Sequence, residues 1–479
     1  MKDDYDKINF LCGIEIHQEL SGKKLFCSCS ADLKEEKKDL EIKREIRSSV
    51  GESGEADVAS LYEQKKNLKF VYYGYEDEHC LIECDEQPPD PINQDALKTA
   101  LEIATILKLK IPDELIVMRK VISDGSVVSG FQRSLLVGLG NEESFIDTSQ
   151  GRVRIKDIYL EEDAAKIIKK ERDNVYFSLS RAGIPLIEIG TQPDIKTPEQ
   201  AKEVASYLGM LLRSVPGIRR GIGTIRQDVN MSILNGARIE LKGFQDLRNM
   251  PYVIENEIKR QLEMMNQGNK IKEEVRKVNA DCSTSFLRPM PGASRLYPET
   301  DIPNIKIDKE LLNGIKKTEL IDEKIVRIGK QYNLNNEIAR VLVKENKLEL
   351  FEELHKQFGM PELIARTILL TVKDLKNRLG LPSDKLTKKD FEEIFNYVKK
   401  GMLDKGLVSK ALEDRLQGKF SLAKYKVVDE KELEFFIKNL VKEKGNLSDG
   451  ALMGIIMQEY KGMVDGKRVM EILKKIRGT

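Results

Sequence analysis

The amino-acid sequence predicts an α+β protein, with a mixed or antiparallel sheet in its first part and only helices in its later part. Residues 8 to about 305 contain short runs of alternating apolar and polar residues, separated by Gly, Asp and Pro clusters. This pattern is typical of strands joined by turns. After Ile302 and Pro303 the composition shifts to Lys, Glu and Leu at helical spacing. Strands followed by helices, not alternating with them, indicate the α+β class.

Five strands and two helices of the first part are the most clearly marked elements. One helix begins at Thr197, where Pro198 at the first turn and Gln200 complete a capping-box pattern. A second helix is expected from about Val253 to Met265. The five strands are expected at residues 14–17, 153–160, 184–189, 224–233 and 238–242.

The change of composition predicts three domains: a sheet domain over residues 1–302, a helical domain over 303–404 and a small helical tail over 405–479. Residues 380–382 and 445–446 are expected to interrupt helices. From residue 401 onward the chain has 16 Lys and Arg against 12 Asp and Glu. This mild excess fits either an ordinary solvated helix face or a surface for nucleic acid.

The composition excludes several classes of protein. Lys and Arg number 80 and Asp and Glu 79, so nucleic acid binding requires a local patch on a neutral chain. No run approaches the roughly 18 apolar residues of a membrane span, and the polar N-terminus is unlike a signal peptide. Six cysteines in so long a chain are not a disulfide scaffold. We therefore expect a cytoplasmic protein without a membrane anchor.

Acidic residues placed inside otherwise apolar strands indicate a binding site for a divalent cation. Glu15 and His17 lie two apart, so a strand puts both on one face. Residues 224–233 alternate in the same way, and residues 161–163 are acidic at the end of another strand. Buried carboxylates need a cation partner, and carboxylates with one imidazole suit Mg²⁺ or Mn²⁺. Mg²⁺ is usually shared with the phosphates of a substrate, and three cations are available to bind them: Arg181, Arg226 and Lys242.

Other interpretations of these strands stay open. Taken alone, each strand with acidic residues also fits a half-exposed sheet whose polar side chains face solvent. The sequence has no GxxxxGK[ST] loop, no GxGxxG motif and no Ser-Ser-Lys amidase signature, and it has only three histidines. A hydrolase built on a histidine-activated serine or cysteine is therefore not expected.

Two close cysteine pairs predict a second metal site. They are Cys27 with Cys29, and Cys80 with Cys84. Four thiolates in a tetrahedron are a favoured set for structural Zn²⁺, although the spacings CxC and CxxxC differ from the usual CxxC. The alternative is four free thiols in a reducing cell.

Several distinctive motifs follow one another over about 300 residues. The most distinctive stretch is SRAGIPLIEI at residues 180–189, followed by Pro193 and Asp194. The others are GIEIH at 13–17, KLFCSC at 24–29, YLEEDA at 159–164, IRQDVNMS at 225–232 and YPETD at 297–301. Together, and in this order, these motifs resemble the tRNA-dependent amidotransferase B/E subunit family.

Within that family the chain resembles the archaeal E-type subunits most, which act on glutamyl-tRNA(Gln). The motifs that favour this branch are DGS at 124–126, SGFQR at 129–133, RRG at 219–221 and RPMPG at 288–292. E-type subunits usually carry an inserted domain similar to one in bacterial aspartyl-tRNA synthetase. Only about 20 residues separate the helix ending near Met265 from Phe286, so we expect that insertion to be absent.

The resemblance implies a glutamine-synthetase-like cradle domain, a helical domain and a tail domain that holds tRNA. It implies that ATP phosphorylates the γ-carboxylate of glutamate on tRNA(Gln), after which ammonia displaces phosphate. The residues implied as catalytic are Glu15, His17, Glu188 and Arg226. Those implied for Mg²⁺ are Glu15, His17, Glu161, Glu162, Glu188 and Asp228.

Ammonia would come from a partner protein that resembles an asparaginase or, in the bacterial case, an amidase. A heterotetramer of two E-type and two partner subunits is implied. Two rival functions remain: a non-catalytic tRNA-binding scaffold, and a metal-dependent phosphohydrolase that works alone. The scaffold does not need acidic residues on buried strands, and the phosphohydrolase does not need the helical tail.

Overall fold

A computed structural model describes residues 2–45, 54–244, 246–292, 296–315, 318–345, 347–379, 386–425, 430–460, 464 and 466–477. The chain divides into two compact units, Met1–Leu320 and Ile321–Thr479. A large mixed sheet dominates the first unit, and the described residues of the second are helical, so the predicted α+β class is confirmed. The finer division at residues 302 and 404 stays a prediction.

The described part of the first unit contains the five predicted strands and two predicted helices, together with twelve further strands and four further helices. The strands are β1 (Leu11–Glu19), β2 (Lys38–Arg44), β3 (Lys69–Tyr75), β4 (Glu114–Leu115), β5 (Val117–Val121), β6 (Phe131–Leu139), β7 (Phe145–Thr148), β8 (Gly151–Glu162), β9 (Lys166–Lys170), β10 (Asn174–Ser178), β11 (Pro185–Thr191), β12 (Ile225–Ser232), β13 (Ile239–Lys242), β14 (Glu274–Val278), β15 (Thr284–Pro289), β16 (Leu296–Pro298) and β17 (Ile305–Lys306). The helices are α1 (Lys2–Lys7), α2 (Val58–Gln64), α3 (Gln94–Ile106), α4 (Pro198–Ser214), α5 (Met250–Asn266) and α6 (Lys309–Asn313).

Eleven strands form one sheet in the order β15-β14-β13-β12-β1-β11-β8-β6-β5-β16, with β7 paired to β8. Neighbouring strands are antiparallel except β13 and β14, which run parallel. All five predicted strands are confirmed, as β1, β8, β11, β12 and β13. These five lie next to one another in the sheet, so segments far apart in sequence meet at its centre.

One face of this sheet packs against helices. Ile14 and Ile16 of β1 are buried in one apolar cluster with Val204 and Leu208 of α4. Because successive strand residues point to opposite faces, the residues between these isoleucines point away from the helix. The Thr197 hydroxyl accepts a hydrogen bond from the Gln200 amide at the start of α4, as the capping pattern predicted. The helix therefore buries an apolar stripe and leaves the other sheet face to polar side chains.

A second sheet of four strands has the order β2-β3-β10-β9. Its apolar cluster includes Phe70, Tyr72, Phe177 and Cys84. Short turns after β3 carry residues 80–86, so the second cysteine pair lies beside this cluster.

The second unit consists of α7 (Ile321–Tyr332), α8 (Asn336–Lys344), α9 (Leu348–Phe358), α10 (Pro361–Arg366), α11 (Val372–Leu379), α12 (Lys388–Lys399), α13 (Val408–Leu416), α14 (Glu430–Lys444), α15 (Asp449–Glu459) and α16 (Gly466–Arg477). Its described core residues form two apolar clusters, one over 325–425 and one over 433–473. The predicted break at 445–446 is confirmed between α14 and α15, whereas the break at 380–382 lies outside the described residues. Among the described helices we find none with the length and hydropathy of a transmembrane span.

Candidate functional site

The central strands β12, β1, β11 and β8 present one polar face. Glu15 is paired with Asp228, and His17 lies between Glu188 on one side and Arg226 on the other. Directly opposed residues of antiparallel strands point to the same face, so these side chains converge. The strand register therefore joins acidic residues that are up to about 210 positions apart in the sequence.

Two groups of potential metal ligands lie on this face. The first group consists of His17, Glu161 and Glu188, and the second of Glu15, Asp228 and Glu240. In each group the ligand atoms lie within 4.8 Å of one another. We call these two groups together the acid groups. Of the predicted magnesium ligands, the structure brings together all except Glu162.

A lysine reaches into each acid group. Lys120 Nζ on β5 lies 2.6 Å from Glu161 Oε1 and 3.7 Å from Glu188 Oε2. Lys242 Nζ on β13 lies 2.6 Å from Asp228 Oδ2 and 2.6 Å from Glu240 Oε1. The two lysines are fewer than the five carboxylates of the acid groups, so the face carries an excess of negative charge.

Hydrogen bonds hold the carboxylates in place. Asn230 Nδ2 donates to Glu15 Oε1 at 3.0 Å, and Ser134 Oγ donates to Glu161 Oε1 at 2.6 Å. His17 Nε2 lies 3.3 Å from Glu188 Oε2, and His17 Nδ1 lies 3.9 Å from Asp228 Oδ2. The imidazole therefore bridges the two acid groups.

Burial and the proximity of other charged groups shift the pKa values of the carboxylates on this face. Burial, together with the nearby Glu188 carboxylate, raises the pKa of Glu15 to about 7. The same two causes raise the pKa of Glu161. Burial alone would raise the pKa of Glu188 too, but Lys120 and His17 hold it well below its usual range. Glu188 therefore stays ionised, while the pKa values of Glu15 and Glu161 move in the opposite direction.

A cluster of arginines lies at one end of the face. Arg226 Nη2 donates to Asp163 Oδ1 at 3.0 Å, and Arg226 Nη1 lies 3.6 Å from Glu19 Oε1. Arg181 Nε lies 3.7 Å from Asp163 Oδ2. Of the predicted phosphate-binding residues, Arg181 and Arg226 share this end, while Lys242 lies in the second acid group. Burial, then Asp163, raises the pKa of Glu19 to about 7.

An open cavity of about 560 Å³ runs over the polar face. Its wall contains members of both acid groups and extends to residues near the far ends of the strands. The lining residues that carry charge are Glu15, Lys120, Lys156, Asp157, Glu161, Glu188 and Arg238. This volume is in the range of small-molecule sites.

Glu162 lies outside the acid groups, because it follows Glu161 on β8 and points to the other face. Its carboxylate contacts Arg133, whose guanidinium Nε donates to Glu299 Oε2 at 2.8 Å. Arg119 also contacts Glu299. Two buried carboxylates thus meet two arginines in what we call the closed network: Glu162, Glu299, Arg119 and Arg133.

The cysteine site differs from the predicted four-cysteine set. Cys27, Cys29 and Cys80 do come together, but the fourth member of the group is Glu83. Cys27 Sγ lies 2.8 Å from Glu83 Oε1. Cys84 instead belongs to the apolar cluster of the second sheet. The physical reason is that the turn after Cys80 directs Glu83 toward the other thiols and the next residue into the core.

Sequence reasoning missed Lys120 and Ser134 as members of the site. β6 is buried on both faces over much of its length, and the half-buried middle of β5 shows no clean alternation. Glu240 was recognisable, since it repeats the two-residue spacing with Lys242.

Comparison with known proteins identifies the family. The profile described as the GatB/GatE catalytic domain matches residues 10–313. The chain is 36% identical over 631 aligned positions to the E-type subunit of glutamyl-tRNA(Gln) amidotransferase from Methanocaldococcus jannaschii, covering 99% of each chain. It is 33% identical to the corresponding protein of Methanococcus maripaludis, again over 99% of each. For that of Methanosarcina barkeri the identity is 33%, over 99% of this chain and 98% of the relative.

The length of these alignments bears on the expected missing insertion. The alignment with the Methanocaldococcus protein spans 631 positions, whereas this chain has 479 residues. At least 152 positions of that relative therefore face gaps, although both ends are matched. This difference agrees with the absence of an internal domain. As its motifs predicted, the chain belongs to the GatB/GatE family.

Proposed function

We propose that the protein amidates glutamate carried on tRNA(Gln), in an ATP- and Mg²⁺-dependent reaction that yields glutaminyl-tRNA(Gln). The relatives, which are glutamyl-tRNA(Gln) amidotransferase subunits, support this choice of substrate. The observation that carries the proposal is the excess of carboxylates over lysines in the acid groups, beside the arginines at the end of the same face. Such a face suits a phosphoryl donor held through a divalent cation.

The chemistry requires activation because oxide is a very poor leaving group from a carboxylate. An oxygen of the glutamate γ-carboxylate attacks the γ-phosphorus of ATP, which gives an acyl phosphate and ADP. Ammonia then attacks the acyl carbon and the C–O bond to phosphate breaks. The surplus proton leaves with the phosphate as hydrogen phosphate. This reaction depends on positioning and charge neutralisation more than on covalent help from the protein.

The acid groups fit Mg²⁺. An octahedral site with bonds of about 2.0–2.1 Å has its ligand atoms roughly 3 to 4.2 Å apart. The ligand atoms of each group lie within 4.8 Å, so small side-chain movements suffice. We infer that Glu15, His17, Glu161, Glu188 and Asp228 hold the ion. When bound, Mg²⁺ neutralises charge on the phosphates and orients them.

The cations of the face bind and orient the other charged groups. Arg226 is held by Asp163 through its Nη2, and its buried Nη1 lies 3.6 Å from Glu19 Oε1 but makes no hydrogen bond within the described chain. We propose that this Nη1 donates to a phosphate oxygen of the bound nucleotide. Arg181 lies beside it, and Lys242 lies at the second acid group. These three residues are proposed to bind ATP.

The large sheet with one helix-covered face and one polar face supports a glutamine-synthetase-like cradle, as the resemblance implies. The described tail helices α14, α15 and α16 share their own apolar cluster, which supports a separate tRNA-binding domain. Ammonia is proposed to come from an asparaginase-like partner in a cytoplasmic complex of two E-type and two partner subunits. An amidase-type partner is the alternative source.

The cysteine site is proposed to hold one structural Zn²⁺ through Cys27, Cys29, Cys80 and Glu83. Three thiol sulfurs and a carboxylate oxygen are all ligand types that Zn²⁺ accepts. The buried Lys24 Nζ lies 3.9 Å from Glu83 Oε1 and offsets part of the negative charge.

The test is glutaminyl-tRNA formation by the full chain with ATP, glutamyl-tRNA(Gln) and ammonium chloride as the nitrogen source. We expect ATP consumption that depends on glutamyl-tRNA, and its loss in Glu188→Gln with the unfolding temperature unchanged. Binding of tRNA without ATP turnover would indicate the scaffold instead. ATP turnover that ignores glutamyl-tRNA would indicate the solitary phosphohydrolase.

A further inference from the structure

A short loop beside the arginine end of the polar face presents an unusually exposed apolar side chain. Residues 219–224 connect the segment after α4 to β12, and we call them the finger loop. Ile222 at its tip has a relative exposure of 108%, the highest among the exposed large apolar residues of the described chain. A single exposed apolar side chain on a surface is ordinary. The construction of this loop distinguishes Ile222 from such cases.

The base of the finger loop is held rigidly. The buried Gln18 donates through Nε2 to the Arg219 carbonyl at 2.9 Å and to the Thr224 carbonyl at 3.1 Å. One side chain therefore ties both stems together. The Thr224 hydroxyl donates to the Gly221 carbonyl at 2.9 Å. Ile222 therefore projects from an anchored base.

Two glycines give the tip its shape. Gly221 has φ 137° and Gly223 has φ 85°, both in the region that favours glycine. They flank Ile222 and turn the chain so that its side chain points outward. A loop that needs two such glycines to expose one isoleucine has a more specific shape than a solvated turn requires.

Two arginines lie together at this loop. Arg220 Nη2 donates to the Arg213 carbonyl at 3.4 Å, and the nearby Arg220 charge, after burial, lowers the pKa of Arg213. Among the described residues, no carboxylate lies within ion-pair distance of either guanidinium. Two like charges in proximity repel each other, and an anion between them would offset this repulsion.

The finger loop is joined to the reacting end of the polar face. The Glu19 carboxylate lies 3.6 Å from Arg219 Nη1 and 3.6 Å from Arg226 Nη1. Ile222 precedes Arg226 by four residues, at most about 13 Å of extended chain. Whatever the tip touches therefore lies beside the place where phosphates and the glutamyl group are proposed to bind.

We propose that the finger loop holds the 3′ end of the aminoacylated tRNA: Ile222 packs against the terminal base, and Arg213 with Arg220 binds a phosphate of the last nucleotides. This inference rests on the proposed function and names a positioning element for its substrate. Single-stranded ends of RNA are bound by contact with base faces together with cations along the backbone. An apolar tip on an anchored base and the nearby guanidinium groups of Arg213 and Arg220 supply both.

The first experiment measures the affinity of the full chain for uncharged tRNA(Gln), with and without its 3′-terminal adenosine. We expect Ile222→Asp to weaken binding of the intact tRNA about five- to tenfold, the lower range of a lost base contact. Without the terminal adenosine, wild type and variant should bind equally, because the contact is already absent. Leu234→Asp, an exposed residue at 52% after β12, is the matched control and should change neither affinity.

The second experiment tests the arginines through salt. Arg213→Ala with Arg220→Ala should reduce the slope of log affinity against log salt by about 0.7, the value for one phosphate of a single strand. Arg248→Ala is the control, since Arg248 is exposed and paired with Asp246.

Equal weakening of both RNAs by Ile222→Asp, or no weakening of either, overturns the finger loop proposal, as does an unchanged salt slope. Glutaminyl-tRNA formation by the same wild-type preparation separates that result from failure of the proposed function. In glutamyl-tRNA kinetics, Ile222→Asp should raise KM while kcat stays near the wild-type value.

Discussion

Glu161 and Glu162 follow one another on β8, yet they lie in opposite electrostatic surroundings. Glu162 belongs to the closed network, where two buried carboxylates meet two arginines. Glu161 belongs to the acid groups, where five carboxylates meet two lysines and one imidazole. Burial is similar for both residues, at 2% and 9% exposure. The comparison teaches that a buried carboxylate is informative about function only when the cations around it are counted.

The cysteine site repeats the comparison on a smaller scale. Glu83 joins three thiols, while the next residue, Cys84, packs among aromatic side chains. Here too, neighbouring residues of similar burial have different roles because the chain points them in opposite directions.

The largest effect is expected on the rate of amidation. Glu161→Gln should lower kcat about 10²- to 10³-fold, comparable to the loss of one electrostatic group in an active site. Glu162→Gln should keep most of the rate per folded molecule. Steady-state glutaminyl-tRNA formation measures both. Equal losses in the two variants would end the distinction between the acid groups and the closed network.

The same two variants should differ in stability with the opposite ranking. Glu162→Gln leaves Arg133 with a weaker partner and should lower the free energy of unfolding by about 3 kcal/mol, the lower end for a broken buried ion pair. Glu161→Gln removes one of several crowded negative charges, so without Mg²⁺ it should be neutral or stabilising. Urea unfolding of both proteins in EDTA checks this. A larger loss of unfolding free energy for Glu161→Gln than for Glu162→Gln would contradict the excess of negative charge in the acid groups.

His17 links the two acid groups, so its removal should affect the ion more than the fold. His17→Ala should raise the half-saturating Mg²⁺ concentration about tenfold, because one ligand and one bridge are lost. The Mg²⁺ dependence of ATP consumption measures it. An unmoved half-saturation point would make His17 a structural residue.

The stability of the metal-free protein should depend on pH through Glu15. Its pKa is raised to about 7 from an ordinary 4.5, so between these values the folded state keeps a proton that the unfolded state has lost. Stability contributed by this group is therefore present below pH 4.5 and is lost as the pH rises to 7. Mg²⁺ relieves the charge above that range, so it should raise the unfolding temperature more at pH 8 than at pH 5.5.

Glu15→Gln isolates this contribution, since the Glu19 carboxyl, with its own pKa of about 7, is unchanged. The variant should show a smaller difference between the two pH values. An equal effect of Mg²⁺ at both pH values in the wild type would be inconsistent with Glu15 as a ligand.

The smallest effect on activity is expected at the cysteine site. Protein purified without chelator should contain about one zinc per chain. Cys27→Ser should lose the zinc, whereas Cys84→Ser should keep it and lose only some packing. Elemental analysis of the two variants distinguishes them, and loss of zinc in Cys84→Ser alone would restore the four-cysteine site.

The centre of the sheet was predictable from the alternation of apolar and polar residues along its strands. β1 and β12 have one face against the helices and one face toward the cavity, so apolar and polar residues alternate cleanly. The patterns at residues 14–17 and 224–233 therefore identified the centre of the sheet. On β5 and β6, polar residues point both toward the closed network and toward the acid groups. The sequence pattern therefore could not tell whether Arg119 or Lys120 belongs to the site.

The sequence could not decide between Glu161 and Glu162 for a related reason. Alternation separates two faces only when one of them is apolar, and at the end of β8 both faces are polar. The partner Glu299 lies 137 positions away, directly after β16, a strand of only three residues. Spacing alone does not show which way a turn points, so the sequence could not show that Glu83 lies nearer the other three cysteines than Cys84 does.

The central claim is that the protein activates the γ-carboxylate of tRNA-bound glutamate as an acyl phosphate. Glutamyl-tRNA(Gln) labelled with ¹⁸O in the γ-carboxylate, incubated with the full chain, ATP, Mg²⁺ and ammonium, tests it directly. The account predicts that one ¹⁸O atom appears in inorganic phosphate for each glutaminyl-tRNA formed, and that Glu188→Gln releases none. Glutaminyl-tRNA formation accompanied by unlabelled phosphate would contradict the account.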